Sequence, residues 1–147
     1  MTIQYVDLRL SMQDNGLGTP VLIPTTPDTA MFGDIGIQTT PVLPANVELV
    51  RVQITGSVLL LFQKNQVPIT VNVYKNDDPS PFYTTSSKVP SGMVVTSTLG
   101  IHAMDFPTPA EVISGQIRYT ATITQEEKGD TLMSARSLSG IAFAGNG

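Results

Sequence analysis

Between residues 47 and 62 apolar and polar side chains take turns. Val50, Val52, Ile54, Gly56, Val58, Leu60 and Phe62 occupy even positions, while Arg51, Gln53, Thr55 and Ser57 occupy odd ones. Successive strand residues face opposite ways, so this alternation sends one row into a core and the other toward solvent; a helix would mix the two sets on every face. The stretch predicts a long central strand on which the sheets are built, bent at Gly56, where a glycine eases a bend or bulge. Leu59 and Leu61 make the second face apolar as well, which predicts cover on both sides at that end.

The rest of the chain repeats the motif in shorter pieces. Residues 2–12 alternate Val6, Leu8, Leu10 and Met12 against Tyr5, Asp7, Arg9 and Ser11, a first strand that ends in a glycine-rich turn at 14–18. From 19 to 46 the chain carries Pro20, Pro24, Pro27, Pro41 and Pro44, a density that forbids a helix and confines strands to edges. That segment reads as an extended arm with short extended pieces at 21–23 and 35–39. Met31, Phe32, Ile35 and Ile37 within it need something to pack on, in the same domain or a neighbour. Ile69, Val71 and Val73 alternate with Thr70, Asn72 and Tyr74 and predict a strand paired as a hairpin with the long one. Weaker alternation runs over 82–85 and 94–104. Ile113, Ile117, Tyr119, Ala121 and Ile123 form one row with Gly115, and a final strand spans 131–143 after a turn at 125–130 in which Gly129 offers a positive-φ position.

No ten-residue window shows helical periodicity. Short strands separated by Pro and Gly turns predict an all-β chain, a jelly-roll β-sandwich with an extended Pro-rich N-terminal arm. The arm covers 1–46 and the sandwich 47–147, together one structural domain. An immunoglobulin-like sandwich is the alternative, although the Trp and paired Cys of its antibody-type members are absent.

Composition adds a surface argument. Only 14% of the 147 residues are charged, 41% are hydrophobic, and Thr alone contributes 18. Globular chains average about a quarter charged residues, so part of this surface is expected to meet protein instead of water. The net charge is −4 with no basic run, which argues against nucleic-acid binding. No apolar run approaches the length of a membrane span, so membrane insertion is not expected. With no Cys there is neither disulfide nor thiolate metal site. The first ten residues lack a basic head and a continuous apolar segment, unlike a secretory signal. If Met1 is the native start, the product is made in a cytosol and stays there or leaves by lysis.

Chemistry-bearing residues are sparse. His102 is the sole histidine; with no Cys beside it and no placed nucleophile, it reads as structural or solvent-facing. Asn76, Asp77 and Asp78 could offer oxygens to calcium, but a solvated turn explains them, as it explains Glu126, Glu127 and Lys128. Asp105 and Glu111 could be imagined as glycosidase carboxylates, yet nothing in the sequence sets their separation. No glycine-rich phosphate loop is present. The reading is therefore no enzyme, no cofactor and no metal.

Five segments carry a resemblance: residues 50–58, 69–75, 101–107, 115–123 and 137–143. They resemble the C1q/TNF-like jelly rolls of Bacillus spore-surface proteins, the exosporium and endospore-appendage families. The resemblance implies a structural subunit that self-assembles into a fibre or surface layer outside the cell, on the spore, as a homo-oligomer or helical filament. Other spore-surface proteins would be its further partners. The terminal Cys of the disulfide-linked appendage subunits and the collagen-like Gly-X-Y tract are missing, so any assembly must be non-covalent. Release by lysis suits phage and virus structural proteins equally, and a virion decoration or fibre protein, with virion proteins as partners, is the alternative; a lectin-like module is a third. The expected subunit interface comprises Val6, Leu8, Leu10 and Met12, with Met31 and Phe32 of the arm. Open sandwiches leave strand edges that invite an added strand, so the first strand is expected either to exchange into a neighbouring subunit or to complete its own sheet.

Overall fold

The computed structural model describes residues 3–14, 20–87 and 96–145. Among these residues, nine strands form two antiparallel sheets: β1 (Gln4–Asp14), β2 (Val21–Leu22), β3 (Ala30–Gln38), β4 (Val50–Leu61), β5 (Ile69–Lys75), β6 (Tyr83–Ser87), β7 (Thr96–Asp105), β8 (Gln116–Gln125) and β9 (Leu132–Ala144). A 3-10 turn (Pro44–Leu49) precedes β4, and a one-turn helix, α1 (Pro109–Ile113), precedes β8. One sheet runs β1-β9-β4-β7, with β2 added against the end of β9; the other runs β3-β8-β5-β6.

Setting the two-residue β2 aside, the pairing has a simple rule. The first strand lies beside the last (β1 and β9), the next inward pair is β3 and β8, then β4 and β7, then β5 and β6. That is one long hairpin rolled so that successive pairs fall in alternate sheets, which is the jelly roll the patterning predicts. The two β4 neighbours are β9 and β7, and β5 sits in the opposite sheet. The expected β4–β5 hairpin is therefore a crossover between sheets. Alternation reports which face of a strand is buried, and it is the same for either partner.

The core lies between the sheets. Val50, Val52, Ile54, Val58 and Leu60 of β4 face Ile69, Val71 and Val73 of β5 and Ile117, Tyr119, Ala121 and Ile123 of β8, all fully buried. The even row of the long alternating stretch is thus inside from residue 50 onward. Val47 and Leu49 belong to the 3-10 turn and not to the strand; Pro44 at its start fixes a helical φ where the sequence pattern showed only apolar spacing. Gly56 is needed for space: a Cβ there would lie 2.6 Å from the Ser137 carbonyl oxygen of β9. The register shift itself comes after it, between Val58 and Leu60.

The Pro-rich segment is built into the sandwich. Between Pro27 and Pro41 it forms β3, which pairs with β8 and buries Phe32, Ile35 and Ile37. Its prolines fall outside the strand, so they bound it without interrupting it. Gly33 packs against the facing sheet, where a Cβ in its place would lie only 2.6 Å from Leu138 Cβ of β9. Gly129 has no positive φ; it is packed under Val67 and the Asn65 carbonyl. Positive φ is used instead by Gly115 (+94), Asn76 (+53) and Gly145 (+137); Gly115 ends α1 with its N–H on the Val112 carbonyl at 3.2 Å.

Candidate functional site

The described residues present an ionic cluster, a cleft and an apolar sheet face. The cluster begins with α1. Thr108 is its N-cap: Thr108 Oγ1 accepts from the Glu111 N–H at 3.3 Å, and Glu111 Oε1 accepts from the Thr108 N–H at 3.0 Å. This capping box, with Pro109 in the first turn, makes a helix out of five residues. It also leaves Glu111 Oε2 free to meet Lys75 Nζ at 3.0 Å. Lys75 closes β5 directly opposite Tyr119 of β8, and it donates to Asp105 Oδ1 at 3.2 Å. Tyr119, fully buried, donates its hydroxyl to Asp105 Oδ2 at 2.6 Å and packs edge-on against Phe82.

One ammonium thus serves two carboxylates. Burial pushes the Lys75 ammonium toward losing its proton, but the hydrogen bonds and charges of Glu111 and Asp105 outweigh it and hold its pKa above the usual lysine value. Burial would raise the Glu111 carboxyl, and the Thr108 N–H together with Lys75 bring it below the ordinary range. Burial first, and then the bond to Asp105, push the Tyr119 phenol far up, so it remains a donor at any working pH. Asp105 and Glu111, imagined from sequence as a carboxylate pair, do meet, across Lys75. Their polar partners lie inside the cluster, which fastens β7 of one sheet to β5 and β8 of the other. Lys75 and Tyr119 are the members sequence reasoning missed. A phenol in an otherwise aliphatic inward row, and the Thr108–Glu111 spacing after Pro107, were the available signals.

Beside α1 opens a cleft of about 670 Å³, floored by Val112 and Thr39 and walled by Val42, Val47 and Pro109. Glu48 is the one ionisable side chain lining it, and none of the four cluster residues does. Elsewhere, His102 lies exposed on β7, and Asn76 and Asp78 serve their turn, accepting from the Arg118 and Ser80 N–H groups at 3.0 Å. Among the described residues no three His, Asp or Glu side chains come together to hold a metal, and no helix is long and apolar enough to cross a membrane.

The outer faces of the two sheets differ sharply in chemistry. Sheet β3-β8-β5-β6 shows Thr70, Asn72, Thr84 and Thr120, with Asp34 and Arg118 joined by two 2.8 Å bonds. Sheet β1-β9-β4-β7 carries apolar rows at both ends of its strands, with Leu22, Leu132 and Leu61 in the row at the β2 end. Its first cross-strand row reads Tyr5, Phe143, Arg51, with the Arg51 guanidinium 4.7 Å from the centre of the Phe106 ring. The second reads Leu8, Ile141, Gln53, Met104. The third is Leu10, Ser139, Thr55, His102, with Thr55 and Ser139 hydroxyls 2.8 Å apart. Tyr5, Leu8, Leu10 and Phe106 are each more than half exposed.

This changes the expected interface. Val6, Leu8, Leu10 and Met12 do not form one row, because a register shift between Tyr5 and Asp7 reverses the faces. Val6 enters the core, whereas Leu8 and Leu10 point out. Asp7 and Ser11 turn toward β3 instead, where Asp7 Oδ2 accepts from the Gln38 N–H at 2.8 Å and Ser11 Oγ from the Asp34 N–H at 3.3 Å. These side chains cap edge donors of β3 and close the seam between the sheets. A bulge of this kind leaves no trace in alternation, which continues unbroken across it. Met31 is exposed, on the opposite sheet. Phe32 is fully buried in the chain's own core, so it offers nothing to a neighbour. The side chain of Met12 lies outside the described residues. β1 pairs with β9 of its own chain over Gln4 to Asp14, completing its own sheet.

No protein-family profile matches the chain, and no curated protein does. Among solved structures it is similar to infectious bursal disease virus Gx strain, at 9% identity and a TM-score of 0.51 over 96% of this chain. It is similar also to the VP2 subviral particle of that virus, at 12% identity and a TM-score of 0.52 over 94% of this chain. A third is a mutant VP2 in derived T=1 particles, at 10% identity and a TM-score of 0.50 over 92% of this chain. The chain spans 31–32% of the length of those chains. At these identities the shared property is the fold alone, a jelly-roll β-sandwich.

Proposed function

We propose that this chain is a structural, self-assembling jelly-roll subunit of a virion. The observation that carries the reading is the likeness of the whole described sandwich to jelly rolls of a virus particle. The low charge density and the apolar outer face of the β1-β9-β4-β7 sheet support it. In this reading the work is done by surfaces: the ionic cluster and the β1–β3 seam tie the two sheets together, and exposed faces join subunits to one another. No catalytic step, cofactor or metal enters. The resemblance to spore-surface jelly rolls leads to the same coarser role, a non-covalent assembly subunit, without a structural observation that favours a spore.

Purified full-length chain tests this by sedimentation velocity and negative-stain electron microscopy across a wide concentration range. Oligomers, rings or shells that dissolve on dilution without reductant are expected. A monomer at every concentration would refute the reading.

A further inference from the structure

We infer that the free edge of β7 is an assembly contact: it pairs antiparallel with β7 of a second copy, around a twofold axis through Ile101, and joins the β1-β9-β4-β7 sheets of the two copies into one. The inference rests on the self-assembly reading above and adds its contact and geometry.

An edge strand carries unpaired N–H and C=O groups, and soluble proteins blunt such edges with bulges, charges, prolines, short strands or side-chain cover. The two sheets end in β1, β7, β3 and β6, and three of these are blunted. β1 shifts register twice and carries Asp7 and Arg9. β3 is bulged between Met31 and Gly33, and Asp7 and Ser11 cover its Gln38 and Asp34 N–H groups. β6 is five residues long. β7 has none of these devices. Its ten residues pair with β4 from Thr96 to Asp105 without a register shift, and they include no proline, lysine or arginine. Among the described residues, no group outside β4 bonds its main chain. Every second residue of such a strand turns its N–H and C=O away from the neighbour it has, so about five donors and five acceptors line the free side.

Those groups specify the chemistry of the partner, an extended strand added to the sheet. Charge then selects β7 itself. A charged strand would find no counter-charge, because the one carboxylate of β7, Asp105, is turned inward and held by Lys75 and Tyr119. A second β7 brings no like charges together, and a twofold axis perpendicular to the sheet gives every free N–H of one copy a C=O of the other. It also keeps both core faces on the same side.

The side chains set the register. With Ile101 opposite its own copy, Leu99 meets Ala103 and His102 meets Gly100, a large residue against a small one in each pair. Leu99 and Ala103 are half-buried at the margin of the core, and each gains cover from the other copy. Gly100 has room on its exposed side: a Cβ there would meet nothing nearer than its own chain's His102 ring, at 3.6 Å.

That room makes Gly100→Lys a fair test. It adds to β7 the lysine that natural edges use against pairing, and Met31→Lys, exposed on the opposite sheet, adds the same charge elsewhere. Both should keep the wild-type circular dichroism. By sedimentation velocity Gly100→Lys should need a concentration roughly tenfold or more higher than wild type to assemble, while Met31→Lys assembles as wild type does. Hydrogen exchange reads the wild-type contact directly, whether or not the variant folds: β7 amides should exchange roughly tenfold or more slowly in the assembled protein than in the dilute monomer. The chain has no native Cys, so a mixture of Gly100→Cys and His102→Cys reports the register. Directly opposed Cβ atoms lie about 4.5–5.5 Å apart and diagonal ones about 7–8 Å, so mild oxidation should link the two variants to each other faster than either to itself. If β7 amides gain protection but the mixed disulfide is not favoured, another segment occupies the edge and the β7 pairing is wrong. If wild type assembles without protecting β7, or a folded Gly100→Lys assembles unimpaired, the edge contact is wrong and the structural-subunit reading stands. If wild type never assembles, both fall.

Discussion

Removing the Tyr119 hydroxyl isolates one bond of the ionic cluster. In Tyr119→Phe the ring keeps its place against Phe82, and the side chain is fully buried, so almost no packing is lost. What goes is a 2.6 Å donor to Asp105 Oδ2. Hydrogen bonds to charged groups contribute about 1.5–3 kcal/mol, and a buried acceptor left unsatisfied adds its desolvation cost. Asp105 is 8% exposed, so water can reach it only in part, and we expect a loss of about 2 kcal/mol. For a chain of this size that corresponds to a melting temperature lower by about 4–8 °C. Urea melts of wild type, Tyr119→Phe, Asp105→Ala and the double variant close a thermodynamic cycle. A coupling of at least about 1.5 kcal/mol is expected for a direct, charge-assisted bond. A loss under about 0.5 kcal/mol, or additive single effects, would refute the view that this bond ties the sheets together.

Ile54→Asp buries an unpartnered charge in the middle of β4 and should prevent folding, whereas Gln53→Asp, one residue away and exposed, should leave the urea midpoint nearly unchanged; equal losses would show that both faces of β4 are covered. Stability should decline in acid. Glu111, Asp7 and Asp34 have folded pKa values below their ordinary 4.5 and 3.8, so the unfolded chain binds more protons as pH falls, and their contribution, complete above about pH 4.5, is lost as pH drops through the lowered values. Glu111→Gln should make that acid limb shallower in pH-dependent melts, and an unchanged limb would contradict the Lys75 and Thr108 contacts. Deleting residues 1–12 should destabilise the sandwich, because it strips Val6 from the core and uncovers the β9 edge; a truncation as stable as wild type by circular dichroism would mean that β1 is dispensable to its own fold.

Much of the fold was legible, because burial on a strand writes itself as alternation. β4, β5, β8 and β9 fall where their apolar rows lie, except that Ile113, read into the row of β8, ends α1 and is exposed; the jelly roll follows from their number and spacing. Three things did not show. Partners did not, since Ile69, Val71 and Val73 would alternate identically beside β4 or beside β8. The bulge in β1 did not, because Leu8 and Leu10 keep the period of Val6 while leaving its face. β3 was hidden by prolines that stand at its borders, though Phe32, Ile35 and Ile37 already asked for a core. Of the interface, Leu8, Leu10 and Met31 proved exposed, and Val6 and Phe32 did not. Tyr5, Phe106 and Met104 were overlooked because exposure of a large side chain is decided by tertiary pairing, which no local pattern records.

The pairing of the first strand with the last has a kinetic consequence. β5 and β6 meet through a short turn, with Val73 opposite Tyr83, but Gln4 must find Ala144. Closing a loop of that length instead of a ten-residue one costs about 2 kcal/mol more in chain entropy, and folds dominated by such distant pairings are slow. On a ribosome β1 emerges first and waits for β9, with Leu8 and Leu10 bare and its backbone donors unmatched throughout. Until β9 appears, β1 has no partner strand in its sheet; once paired, it is held in place by the Asp7 and Ser11 contacts to β3.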